Sequence, residues 1–174
     1  MNNRNPSNGK DASPRALACI YDECADKLYR YALMILADAS AAEDVVHQVF
    51  VKLLKMDHKR ENIGSYDHYL RTAVRNECYR IIEKRQNKEI ELSAVESILE
   101  FTESTASNEE ERLIVEKAIR TLPPDQREVV HLKIYEDMTF QQIADLLGIS
   151  LNTAASRYRY AMDKLRNMLE TLKE

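Results

Sequence analysis

Thr139 to Arg159, TFQQIADLLGISLNTAASRYR, reads as two helical runs parted by three residues, and it narrows the possible folds more than any other stretch. Thr139 with Gln142 three positions on is a capping box that starts the first run. Ile143, Leu146 and Leu147 then face inward, and Ala144 is small where a second helix must approach closely. Gly148 falls where the first helix ends and a positive φ is needed. Ser150 can cap the second run, in which Leu151, Ala154, Tyr158, Met162 and Leu165 recur at helical spacing as one buried stripe. A three-residue turn containing glycine between two such runs is the pattern of a helix-turn-helix.

The outward side of the second helix carries Asn152, Thr153, Ser156, Arg157, Arg159 and Tyr160. In a helix-turn-helix the start of the second helix meets base edges in the major groove, and neighbouring basic groups hold phosphates. Asn and Arg suit adenine and guanine edges respectively. The same face could instead be a solvated surface, but caps, turn glycine, small alanine and core period together favour duplex DNA.

The remainder of the chain also reads as helix. With three Gly and four Pro in 174 residues, and Ala, Leu, Glu, Lys, Arg and Ile dominant, strand signals are nearly absent. Residues 1–15 are polar, lack the apolar core of a secretory signal, and are expected to form a disordered tail. A first helix then buries Leu17, Ile20, Cys24, Leu28, Tyr31 and Ile35. A second, with Ser40 as N-cap and Glu43 as its box partner, buries Val45, Val46, Val49, Phe50, Leu53 and Leu54. Glu43, Asp44, His47 and Gln48 fall largely on its other side. After Gly64 a third helix, from about Asp67 to Arg85, buries Leu70, Val74, Cys78 and Ile81. Its wet face is expected to hold His68, Arg71, Thr72, Arg75, Asn76 and Tyr79. Four further runs follow, at 110–121, 124–136, 139–147 and 151–172.

Charge separates these runs into two groups. The net charge is −4, yet residues 59–88 hold eight basic residues against four acids, a net of +4. Residues 151–168 hold four against one, a net of +3, while residues 89–111 hold eight acids and no Lys or Arg. Two basic units flanking an acidic tether imply an anionic partner met at two places. As a coil, that tether would set its ends roughly 25–30 Å apart, with a stretched reach of ~75 Å. The fold expected is all-α: a domain at 16–88, an acidic linker at 89–111 and a helix-turn-helix domain at 112–174.

Several functions are excluded. The chain holds no nucleophile elbow, phosphate-cradling glycine loop or zinc spacing, so neither an enzyme nor a cofactor is implied. Cys19, Cys24 and Cys78 are odd in number, lack metal spacing, and read as buried reduced thiols of a cytoplasmic protein. The longest apolar run, Tyr31 to Ala37, is too short to span a membrane, so no membrane insertion is expected.

AAEDVVHQVFVKLL, YLRTAVRNECYRIIEKR and LPPDQREVVHLKIYEDMTFQQIADLLGISLNTAASRYRYAMDKL occur in this order. In that order and spacing the chain resembles the extracytoplasmic-function (group IV) sigma factors of bacterial RNA polymerase over nearly all of residues 17–170. The resemblance implies that the first domain docks on core RNA polymerase through Glu43, Asp44, His47 and Gln48. It implies that Tyr69, Arg71, Arg75, Asn76 and Tyr79, with Tyr66 near them, hold the melted near (minus-10) promoter element. The helix from Leu151 would enter the major groove of the upstream (minus-35) element of promoter DNA. A separate anti-sigma or other regulatory protein is implied as a further partner, with a monomer when free. The chain departs from the family pattern at His47 and Gln48, at Tyr69 where Trp is usual, at Arg80 where Asp is usual, and at Ala155 where Lys is frequent. The residues by themselves leave open a stand-alone helix-turn-helix regulator or a helical adaptor that binds only protein.

Overall fold

The computed structural model describes residues 14–56, 63–86 and 109–171. Among these there are seven helices and no strand. They fall into two compact units divided between Leu99 and Glu100. Residues 1–13 of the expected tail, 87–88 of the expected first domain and 89–108 of the expected linker lie outside the described residues. The ends of both segments are helical: Pro14 and Arg15 open the first helix, and Glu109 to Glu111 open the fourth.

The first unit is built from α1 (Pro14–Leu36), α2 (Ala39–Leu54) and α3 (Tyr66–Gln86), each packed on the other two. Leu17, Ile20, Leu28 and Tyr31 of α1 are buried as the periodicity requires, and Ala32, Leu33, Met34 and Leu36 widen that stripe into a broad face. Such width is needed because α1 covers two helices at once. The chain reverses between α1 and α2 over only Ala37 and Asp38. Ala37 takes a left-handed φ of 51° and its N–H donates to the Leu33 carbonyl.

That tight turn decides where α2 begins. Asp38, not Ser40, is the N-cap; its carboxylate accepts from the Ala41 N–H at 3.0 Å. Either residue type can cap, but only Asp38 has the extended backbone a cap requires. Leu54, expected in the core, is 53% exposed at the end of α2.

Carboxylates join these helices. Glu77, buried on α3, accepts from Lys52 of α2 at 3.1 Å and from Arg80 on its own helix. Those two partners, Arg80 first, hold its carboxyl below the usual carboxylate range. Arg85, near the end of α3, reaches the Asp38 carboxylate at 2.7 Å.

The second unit comprises α4 (Glu109–Thr121), α5 (Pro124–Ile134), α6 (Phe140–Leu147) and α7 (Leu151–Thr171). The long α7 packs against all three others. Ala118, Leu122, Val130, Ala161 and Leu165 form a core in which the two alanines let helices approach closely. Pro124 sits in the first turn of α5, where a missing N–H costs nothing. Arg127 then folds back from α5 and donates to the carbonyls of Arg120 and Leu122 at 2.7 and 3.1 Å. Carbonyls at the end of a helix lack intrahelical donors, so one side chain both caps α4 and fixes the α4–α5 corner.

Candidate nucleic-acid interface

The helix-turn-helix forms as its local chemistry dictates. Thr139 accepts from the Gln142 N–H, and the Gln142 side chain accepts from the Thr139 N–H, completing the box. Gly148 closes α6 at φ 66°, ψ 35°, and its N–H donates to the Ala144 carbonyl. Ser150 caps α7 through the Thr153 N–H at 3.0 Å. Ala154 and Leu165 face the core as expected, and Ala161 between them is fully buried. Leu151 is not in that core. It is 45% exposed at the first position of α7.

The six residues expected on the outer face of α7 occupy distinct environments. Asn152, Arg159 and Tyr160 are exposed, and the Arg159 guanidinium lies 5.3 Å from the Tyr160 ring centroid. Thr153 and Ser156 are half-buried, and the Thr153 hydroxyl shares a 2.8 Å hydrogen bond with Ser150. Arg157, 29% exposed, meets the Asp125 carboxylate in the first turn of α5 at 2.6 Å. Asp125 was not apparent from sequence, because this pair joins residues more than thirty positions apart. Behind this face, Phe140 packs edge-on to Tyr158 at 5.5 Å and bears Lys133 above its ring.

On α3 the expected face is only partly on the surface. Asn76 is exposed, while Tyr69 and Tyr79 are half-buried. The Tyr69 hydroxyl donates to the Met56 sulfur at 3.1 Å, and the Arg75 guanidinium sits 4.6 Å above the Tyr79 ring. Tyr66 is 1% exposed and belongs to the core. Arg71, expected on the wet face, has a side chain only 5% exposed, folded onto Asp67 one turn earlier. It stands between Leu70 and Val74, both fully buried, and its guanidinium reaches back to the Asp67 carboxylate.

Glu43, Asp44, His47 and Gln48 are all exposed on α2. A cleft of about 490 Å³ between α1 and α2 is lined by Tyr21, Asp26, Tyr29, Glu43, Asp44 and His47. This gives α2 an acidic, ring-bearing border. Cys78 is buried, but Cys24 is half-buried and Cys19 exposed, so the expectation of three buried thiols fails at α1. Burial, then the Asp67 charge, pushes the Cys24 thiol above its usual value. No helix among the described residues is long and apolar enough to cross a membrane.

An all-helical protein of two units, one ending in a capped helix-turn-helix, has the architecture of a DNA-reading transcription factor. Family comparison refines this. The model for Sigma-70 region 2 matches residues 20–88, and that for Sigma-70, region 4 matches residues 112–173. The chain is 31% identical over 175 residues to the ECF RNA polymerase sigma factor SigL of Mycobacterium tuberculosis, covering 92% of this chain and 93% of that one. It is 23% identical to the ECF RNA polymerase sigma factor SigK of Mycobacterium bovis, covering 89% of this chain and 86% of that one. The sigma factor RpoE from Bartonella quintana, solved in complex with the anti-sigma factor NepR, shares the fold with a TM-score of 0.71. That match has 22% identity and covers 90% of this chain and 98% of that one. The chain belongs to the extracytoplasmic-function sigma factors of bacterial RNA polymerase.

Proposed function

We propose that the two units divide one task, recognition of a promoter by core RNA polymerase carrying this subunit. The region 2 unit docks through the exposed face of α2, with Glu43, Asp44, His47 and Gln48 as the contact set. On α3, Tyr69 and Tyr79 stack against bases of the melted near element, Arg75 tracks the backbone and Asn76 reads an edge. Arg71 acts there by holding the start of α3 rather than by touching DNA. In the region 4 unit, α7 enters the major groove of the upstream element, with Asn152, Arg159 and Tyr160 foremost. Thr153, Ser156 and Arg157 sit beside them.

The observation that carries this reading is the exposed triplet Asn152, Arg159 and Tyr160 on the second helix of a fully capped helix-turn-helix. The protein works in the cytoplasm, uses no cofactor, and is silenced by a separate regulatory protein of the anti-sigma type. Its net charge of −4 supports weak binding of the free chain to duplex DNA, since few phosphates can be neutralised without polymerase. Reconstitution with bacterial core polymerase and sequencing of transcript starts tests the reading. Initiation from a defined promoter class is expected. Tight, salt-sensitive duplex binding by the free chain, without initiation on core, would establish a stand-alone regulator instead.

A further inference from the structure

The ion pair between α5 and α7 lies on the rim of the proposed duplex-binding face. Arg157 projects from the same helix as Asn152, Arg159 and Tyr160, and its guanidinium lies 2.6 Å from the Asp125 carboxylate. Asp125 itself is mostly solvent-facing, at 59% exposure, so this is a surface pair and a weak one. We infer that Asp125 is a specificity-determining residue, a built-in competitor that holds Arg157 away from any phosphate not presented in the register of the correct upstream element. This rests on reading α7 as the duplex-binding helix.

A guanidinium is a planar fork of donors suited to carboxylate or phosphate, and the carboxylate already occupies part of that fork. A phosphate that arrives out of register must therefore displace Asp125 before it can use Arg157, whereas one in register can take the donors the carboxylate leaves free. The Asp125 charge also stands beside the place an incoming phosphate must take, so a poorly seated backbone meets repulsion with no compensating base contact. When Asn152 and Arg159 find their bases, the backbone is seated at the edge of the guanidinium that Asp125 leaves free, and the ion pair need not break. The pair thus weakens contact with random duplex more than contact with the cognate element. Discrimination of this kind comes from a repulsive group as much as from attractive ones.

The test uses the full chain reconstituted with core polymerase. Two promoter duplexes serve as probes: one found by transcript-start sequencing, and the same duplex with its upstream element scrambled. Asp125→Asn is expected to tighten binding to the scrambled duplex by about three- to tenfold and to change cognate binding by less than about twofold. The salt dependence on scrambled duplex should steepen by about one unit of log–log slope, the signature of one added phosphate contact. In an Arg157→Ala background the same substitution should change neither quantity.

Equal binding ratios for wild type and Asp125→Asn would overturn the inference. So would loss of affinity for both duplexes, or an effect that persists without Arg157. Asn152→Ala and Arg159→Ala separate this failure from that of the parent reading. If neither weakens the cognate duplex, α7 is not the reading helix and the proposed function itself fails. If they weaken it while Asp125→Asn leaves the ratio unchanged, only the role of Asp125 is lost.

Discussion

Arg71 and Asp67 stand one turn apart on α3, joined by hydrogen bonds of 3.0 Å from Nε and 2.8 Å from a terminal nitrogen. Arg71 is buried and Asp67 is half-exposed, so the two ends of the pair are not equivalent. Removing the carboxylate leaves a buried cation with fewer acceptors, whereas removing the guanidinium leaves an anion that water can reach. Asp67→Ala is therefore expected to destabilise the first unit by about 1–3 kcal/mol, and Arg71→Met by clearly less. Urea unfolding followed by circular dichroism measures both. Equal losses would show that the burial of Arg71 does not govern the pair.

Asp38 makes the first unit sensitive to acid. The Ala41 amide, and then the Arg85 side chain, hold its carboxyl below the ordinary value of 3.8. Because the folded pKa is the lower one, its contribution is complete above the unfolded value and is lost as pH falls through the folded value. Stability should hold at neutral pH and decline below about pH 4, with Glu77 adding to the decline in the same direction. Asp38→Asn keeps a capping oxygen without the charge and should flatten part of that decline. Midpoints of urea unfolding at pH 7 and pH 3 for both proteins provide the check, and identical acid losses would remove Asp38 from the account.

Gly148 gives a prediction about backbone alone. A Cβ added there would meet nothing within 4 Å, so only the left-handed φ of 66° resists a side chain. Gly148→Ala should cost about 1–2 kcal/mol. Gly148→Asn should cost less, since a short polar side chain tolerates this conformation. Thermal melts of the two variants would rank them, and a neutral alanine would mean that the turn relaxes.

Tyr69 tests the stacking proposal. Tyr69→Ala should weaken holoenzyme binding to a pre-melted near element by about 1–3 kcal/mol. Tyr69→Phe loses only the hydroxyl bond to Met56 and should stay close to wild type in that assay. A comparison of pre-melted with fully paired near elements isolates the effect. If alanine and phenylalanine behave alike, the ring does not stack on a base.

Local rules made the helix-turn-helix legible from sequence. A threonine with glutamine three positions on, a glycine at a helix end and a serine before the next helix act within a few residues, and each acts as expected. The start of α2 is not legible in the same way, because Asp38 and Ser40 are both good caps and only the two-residue reversal at Ala37 chooses between them. Arg71, Tyr66, Leu54 and Leu151 were misplaced for a related reason. Residues at stripe edges and helix ends follow neighbours that periodicity does not see. Asp125 carries no signal in the sequence because its partner lies on another helix far along the chain.

The α3 arginines carry a consequence for how a strand is held. Arg71, Arg80 and Arg85 each grip a carboxylate from within the protein, at Asp67, Glu77 and Asp38. Much of the positive charge counted along this helix is thus already answered from inside. A strand held along α3 as proposed would meet ring surface with a sparse cationic trim, so adhesion there would draw more on π-faces than on ion atmosphere. Such a grip is expected to weaken less steeply with ionic strength than a polybasic groove would.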